Sequence, residues 1–174
     1  MKERIDHINK AIIDAVYNEG KKPLDLQPYS LADSVAILGN EDVTFPAIVL
    51  RNGECISVYN ETDKHDITLY HRLNRVSYSE VEQGFGNARA YNEVDELSII
   101  VFGKREKIDK FRLGQLICKA IASDPANTLV ESDFNSLQVF ASEYLGVTYF
   151  MTPAYFLFKI NYRITSTYNP RCAN

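Results

Sequence analysis

The sequence predicts an α+β fold: a single domain, mainly antiparallel sheet, with an N-terminal helix and a second helix packed on it. Three patterns predict it. Apolar residues near the N-terminus recur at three- and four-residue steps, and a stretch after residue 104 does the same. Elsewhere apolar and polar residues alternate with the period of two that a strand imposes. The chain has 174 residues, 45% of them apolar and 24% charged, which is ordinary globular usage. That is enough for one core without disulfides or metal.

In order, Ile5, Ile8, Ile12, Ile13 and Val16 give the first helix its apolar stripe, and Asp6, Lys10 and Asp14 its wet face. Gly20 stands in a C-cap position and Pro23 blocks continuation, so the helix is expected over 1–20. Residues 24–31, with Pro28 among them, read as a connector. Residues 34–38 and 47–50 read as short strands. Asn52-Gly53 before Cys55 reads as a type I′ hairpin turn, which needs positive φ at both central residues.

Ile67, Leu69, His71 and Leu73 then alternate with Thr68, Tyr70, Arg72 and Asn74. Val76 and Tyr78 fall on the opposite parity. A bulge near Asn74 or Arg75 absorbs such a slip. Residues 79–92 read as a flexible hairpin or loop with Gly84-Phe85-Gly86-Asn87 at its tip. Residues 97–102 are apolar on both faces, as a central strand is. Residues 104–123 carry the second helix, with Ile108, Phe111, Leu113, Leu116, Ile117, Ala120 and Ile121 apolar and Asp124-Pro125 as the stop. Residues 134–145 fit a helix and a strand equally. Phe156, Phe158, Ile160, Tyr162 and Ile164 mark a long final strand, and 167–174 a loose C-terminal tail. No linker divides the span 1–174.

The composition excludes several functions. The net charge is −4 and no basic run appears, so nothing repays a grip on phosphates. Cys55, Cys118 and Cys172 are odd in number and widely spaced, which reads as reduced thiols from a cytoplasm. The charged start of the chain lacks a signal-peptide h-region, and no apolar run is long enough to span a membrane. The turn from Glu61 to Asp66 lacks the ligand spacing of a calcium loop and reads as solvated. His71, on an apolar strand face, reads as a core or interface histidine rather than a base, and His7 lies on an exposed helix face. Gly84 and Gly86 lack the third glycine and the strand–helix setting of a dinucleotide loop. Cys118, mid-helix, reads as a small hydrophobe. No catalytic residue, cofactor or metal ligand is predicted, and the chain does not read as an enzyme.

Eleven Tyr and nine Phe with no Trp leave amphipathic rings for half-buried sheets and joints. Three segments, 67–73, 97–103 running straight into the second helix, and 156–164, together with the order of elements, resemble the tail-terminator and tail-completion (neck ring) proteins of tailed bacteriophages. The resemblance implies a structural virion protein, made in the host cytoplasm. It implies a homo-oligomeric ring, hexamer or dodecamer, that ends tube growth and joins head to tail. Portal, neck or tail-tube proteins are then its neighbours, and it encircles DNA without sequence-specific binding. Glu80, Glu82, Gly84, Phe85, Gly86 and Asn87 form the candidate subunit-interface loop. The alternative left open is a small intracellular bacterial binding or accessory module without catalysis.

Overall fold

A computed structural model of the chain describes residues 1–17, 19, 23–39, 44–50, 52–57, 64–81, 90–143 and 154–168. The strands are β1 (Leu26–Gly39), β2 (Thr44–Leu50), β3 (Cys55–Ser57), β4 (Ile67–Val81), β5 (Ala90–Lys104), β6 (Asn127–Asp133) and β7 (Tyr155–Tyr168). They form one seven-stranded sheet in the order β3-β2-β1-β4-β5-β7-β6. Every neighbouring pair is antiparallel except β1 with β4, so the α+β expectation holds.

The helices described are α1 (Lys2–Val16), α2 (Lys110–Ala122) and α3 (Ser136–Glu143). The first two cover one sheet face, where Ile5, Ile8 and Ile12 of α1 and Leu113, Ile117 and Ile121 of α2 meet Leu69, Ile99 and Phe158. The third lies on the opposite face, where Val139 and Phe140 close over Tyr70, Ile100, Phe102 and Leu157. Residues 97–103 of β5 are therefore buried on both sides, which explains their unbroken apolar run.

Local chemistry sets the ends of the elements. Asp109 caps α2 by accepting from the backbone N–H groups of Phe111 and Arg112, both at 3.0 Å. The helix therefore begins six residues later than residue 104, because β5 runs on to Lys104. The Arg112 guanidinium reaches Glu19 at 2.8 Å and ties α2 to the end of α1. The first helix ends at Val16 rather than residue 20, its C-cap Tyr17 still helical in φ and ψ. Gly20 lies outside the described residues.

Other expectations are corrected. Residues 26–31 are not a connector but the start of β1. Pro28 is tolerated because only β4 pairs with β1 at that level, β2 joining at Ala32. At the β2–β3 turn Gly53 has positive φ, at 84°, but Asn52 does not, so Asn52-Gly53 is not the centre of a type I′ turn. The Gly53 amide donates to Leu50 O at 2.8 Å. The ladder between β4 and β5 skips Asn74, where the parity slip predicted a bulge. The expected hairpin legs, 79–81 and 90–92, are regular strand. Thr167 and Tyr168 belong to β7 rather than to a loose tail, paired with Asn92 and Tyr91. Of residues 134–145, Ser136–Glu143 form α3, and 144 and 145 lie outside the described residues.

Two close approaches test the packing. The ring of Phe134 lies 2.5 Å from where a Cβ on Gly114 would stand. Alanine normally gains about 1 kcal/mol over glycine within a helix. Here Gly114→Ala should instead lose about 1–3 kcal/mol through overpacking, read by urea denaturation. Phe158 stacks on Phe156 and tilts against Phe134 at centroid distances of 5.9 and 5.1 Å. Phe158→Ala should cost about 3–5 kcal/mol in the same assay.

Candidate assembly interface

The polar groups inside the domain account for themselves. His71, on β4, is fully buried between α1 and β7. Tyr162 donates its hydroxyl proton to His71 Nδ1 at 2.8 Å, and His71 Nε2–H donates to Asn9 Oδ1 at 2.7 Å. Burial holds the imidazole neutral, its pKa lowered from 6.5 to about 3. Burial, and then the nearby Asp95 carboxylate, push the Tyr162 hydroxyl well above its ordinary range. This is the core histidine the sequence implied, and it pins α1 to the sheet. Asp95 itself is 3% exposed, and its Oδ1 has no hydrogen-bond partner among the described residues. Burial, with Glu93 adding to it, raises its pKa.

On the opposite face the end of α3 is held by charge. Glu143 is buried, ion-paired with Arg72 of β4 and accepting from Lys159 Nζ of β7 at 2.9 Å. Beside it the Ser98 hydroxyl accepts from Asn74 Nδ2 at 2.7 Å and donates to Asn161 Oδ1 at 2.6 Å. These groups are matched to one another across three strands and read as structural.

The weaker sequence candidates disperse. Cys118 is half-buried, its thiol 3.9 Å from Ser132 Oγ and its pKa raised by burial, the reverse of a nucleophile's need. Cys55 is exposed, and Cys172 lies outside the described residues. Of the turn at 61–66, Asp66 Oδ2 accepts from the Asp25 amide at 3.2 Å and His65 meets Asp25 at 2.8 Å. Those contacts fasten the starts of β1 and β4 together. Glu61 lies outside the described residues. Among the described residues no group of three or more His, Cys, Asp and Glu is placed to hold a metal ion. No helix there is long and apolar enough to cross a membrane.

What remains is surface. β1 pairs with β4 only as far as Arg72, yet β4 continues to Val81. From residue 73 onward β4 has β5 on one side and no described strand on the other. This stretch forms an arm with β5 and the end of β7, and most of its β4 residues are exposed. Val76 is 36% and Tyr78 68% exposed. Glu93 stands near enough to Tyr78 to raise its hydroxyl pKa, followed by weaker contributions from burial and Asp95. Of the candidate loop, Glu80 lies on this arm and is exposed, whereas Glu82, Gly84, Phe85, Gly86 and Asn87 lie outside the described residues.

The opposite margin of the sheet is β6, which the sequence reading missed. Among the described residues it pairs only with β7, and five of its seven residues are exposed. Its Thr-Leu-Val core lies between a proline turn and a helix cap, too brief for alternation to register. Leu129 and Val130 are 39% and 49% exposed. Besides the short edge strand β3, two longer strand edges, β4 beyond Arg72 and β6, have no neighbour among the described residues, and both carry apolar side chains in water, features that stable monomers suppress. Compared with known proteins, the chain matches no protein-family model and no curated sequence.

The buried imidazole predicts a pH dependence. The folded state holds His71 neutral down to about pH 3, while an unfolded histidine takes up its proton near 6.5. Between these values the unfolded chain binds more protons, so this group makes stability rise with pH. Asp95, raised when folded, acts in the opposite direction. Denaturant midpoints measured from pH 4 to 7 should show a smaller rise in His71→Asn than in the native chain. Equal slopes would mean that His71 is not buried neutral.

Proposed function

We propose that the chain is a structural subunit of a ring in the neck, or at the head-proximal end, of a bacteriophage tail. In that role it ends tube growth and joins head to tail around the DNA channel. The observation that carries this reading is the arm of β4 and β5 beyond the helices, with Val76 and Tyr78 exposed beside a strand edge that has no described neighbour. A subunit that works through faces and edges needs such a projection. Tyrosine suits it, because the ring buries area while the hydroxyl stays hydrated.

Charge supports the same reading. The net charge of −4, with Glu80 and Glu93 along one side of the arm, gives DNA nothing to adhere to. The ring is made of copies of this chain, hexamer or dodecamer, with portal, neck or tail-tube proteins above and below. It takes no cofactor and acts on no substrate.

Negative-stain microscopy of the purified chain, or of the chain mixed with its neighbouring virion proteins, should show annuli with a central hole. Mass spectrometry of purified virions should find the chain in stoichiometric ring numbers. Its absence from virions would sink the proposal.

A further inference from the structure

The two open edges are complementary to each other. We propose that the edge of β6 on one copy pairs, antiparallel, with the open edge of β4 on the next, so that the sheet runs on from copy to copy. This deepens the ring reading and rests on the chain assembling with itself. It does not depend on the virion setting.

Strand direction makes the joint natural. Across the sheet β4, β5, β7 and β6 alternate in sense, since each adjacent pair is antiparallel. β6 therefore runs opposite to β4. Setting the next copy's β4 beside β6, in the same orientation, continues the alternation and keeps both sheet faces in place. The surfaces joined are different, so the contact is head-to-tail, the kind that repeats around an axis into a ring where the rotation between copies closes.

Exposure picks out the same strands. Of the eight large apolar side chains exposed among the described residues, four lie on these two edges: Val76 and Tyr78 on β4, Leu129 and Val130 on β6. Charge also matches. β6 carries Glu131 and Asp133 and no basic residue, while Arg75 is the first charged residue on the open part of β4.

The ladders specify a register. Asn127 is level with Val76 across the sheet, through Ile164 and Asp95, and Asp133 with Tyr70, through Lys159 and Ile100. A neighbour at that level would collide with β1, which occupies the edge up to Arg72. Faces match only at even displacements. Four residues is the smallest even displacement that clears both Arg72 and the bulge at Asn74, about 14 Å along the strand. It places Leu129 against Tyr78, Thr128 against Ser79, Ser132 against Val76, and Asp133 against Arg75. A stagger of this kind is what strands inclined to a ring axis require.

Two variants each block one edge: Val76→Lys with Tyr78→Lys, and Leu129→Lys with Val130→Lys. All four positions are exposed, so both should keep the native circular dichroism and Tm. By light scattering, the native chain should be a multimer and each variant alone a single chain. Mixed, the two should give a species of one chain of each, because one free β6 edge then meets one free β4 edge. With Thr128→Cys on the chain offering β6 and Ser79→Cys on the chain offering β4, oxidation should trap that pair as a disulfide. A native multimer that survives either block, or a blocked variant that dimerises with itself, would overturn the edge pairing and leave the ring reading standing. A native chain that stays monomeric at every concentration, alone and with its virion neighbours, would overturn both.

Discussion

The structure depends on the burial of β5 from both sides. Leu97, Ile99 and Val101 face α1 and α2, while Ile100 and Phe102 face α3. Each of these side chains gains transfer free energy only if its own face is covered, on the order of 1.5–3 kcal/mol apiece. A two-layer domain would leave half of that strand wet. The short α3 therefore matters beyond its length, and its end is secured by Glu143 between Arg72 and Lys159. A buried carboxylate would be costly alone. Here two strands each supply a cation, so the same pairing that fixes the helix also fixes its position over β4 and β7.

Polar groups on the first face do a related job with less charge. A helix lying on a sheet through isoleucines alone can slide, because apolar contact is non-directional. Asn9, His71 and Tyr162 form a chain of two hydrogen bonds joining α1, β4 and β7 at one height. Left unpaired in that setting, each group would cost about 1–3 kcal/mol, so the arrangement penalises other registers of the helix. His71 serves specificity of packing, and its neutrality follows from the same burial.

The margins of the sheet contrast with this interior. Inside, the described buried side-chain polar groups are hydrogen-bonded, except Asp95 Oδ1 and Glu143 Oε2, the latter ion-paired with Arg72. At β4 beyond Arg72 and along β6, backbone and apolar side chains face outward together. The centre is covered on both faces, whereas these two edges have no described neighbour. The fold and the proposed role meet at that point, since a ring subunit needs a rigid body and two unlike edges.

By itself the sequence determined the local and the periodic. The isoleucine steps of α1, the parity slip at Asn74, the doubly apolar run of β5 and the alternation of β7 were all legible, because each depends on residues within a few positions of one another. Of the candidate loop, Glu80 is exposed on the arm, and the remainder lies outside the described residues. Tertiary structure decided what those patterns meet. Pro28 could join a strand because only one described neighbour pairs with it there, and residues 136–143 became a helix because Val139 and Phe140 had an uncovered face to fill. β6 and the open edge of β4 are likewise tertiary facts. Whether a strand has a neighbour depends on where distant segments go, and no spacing within the strand records it.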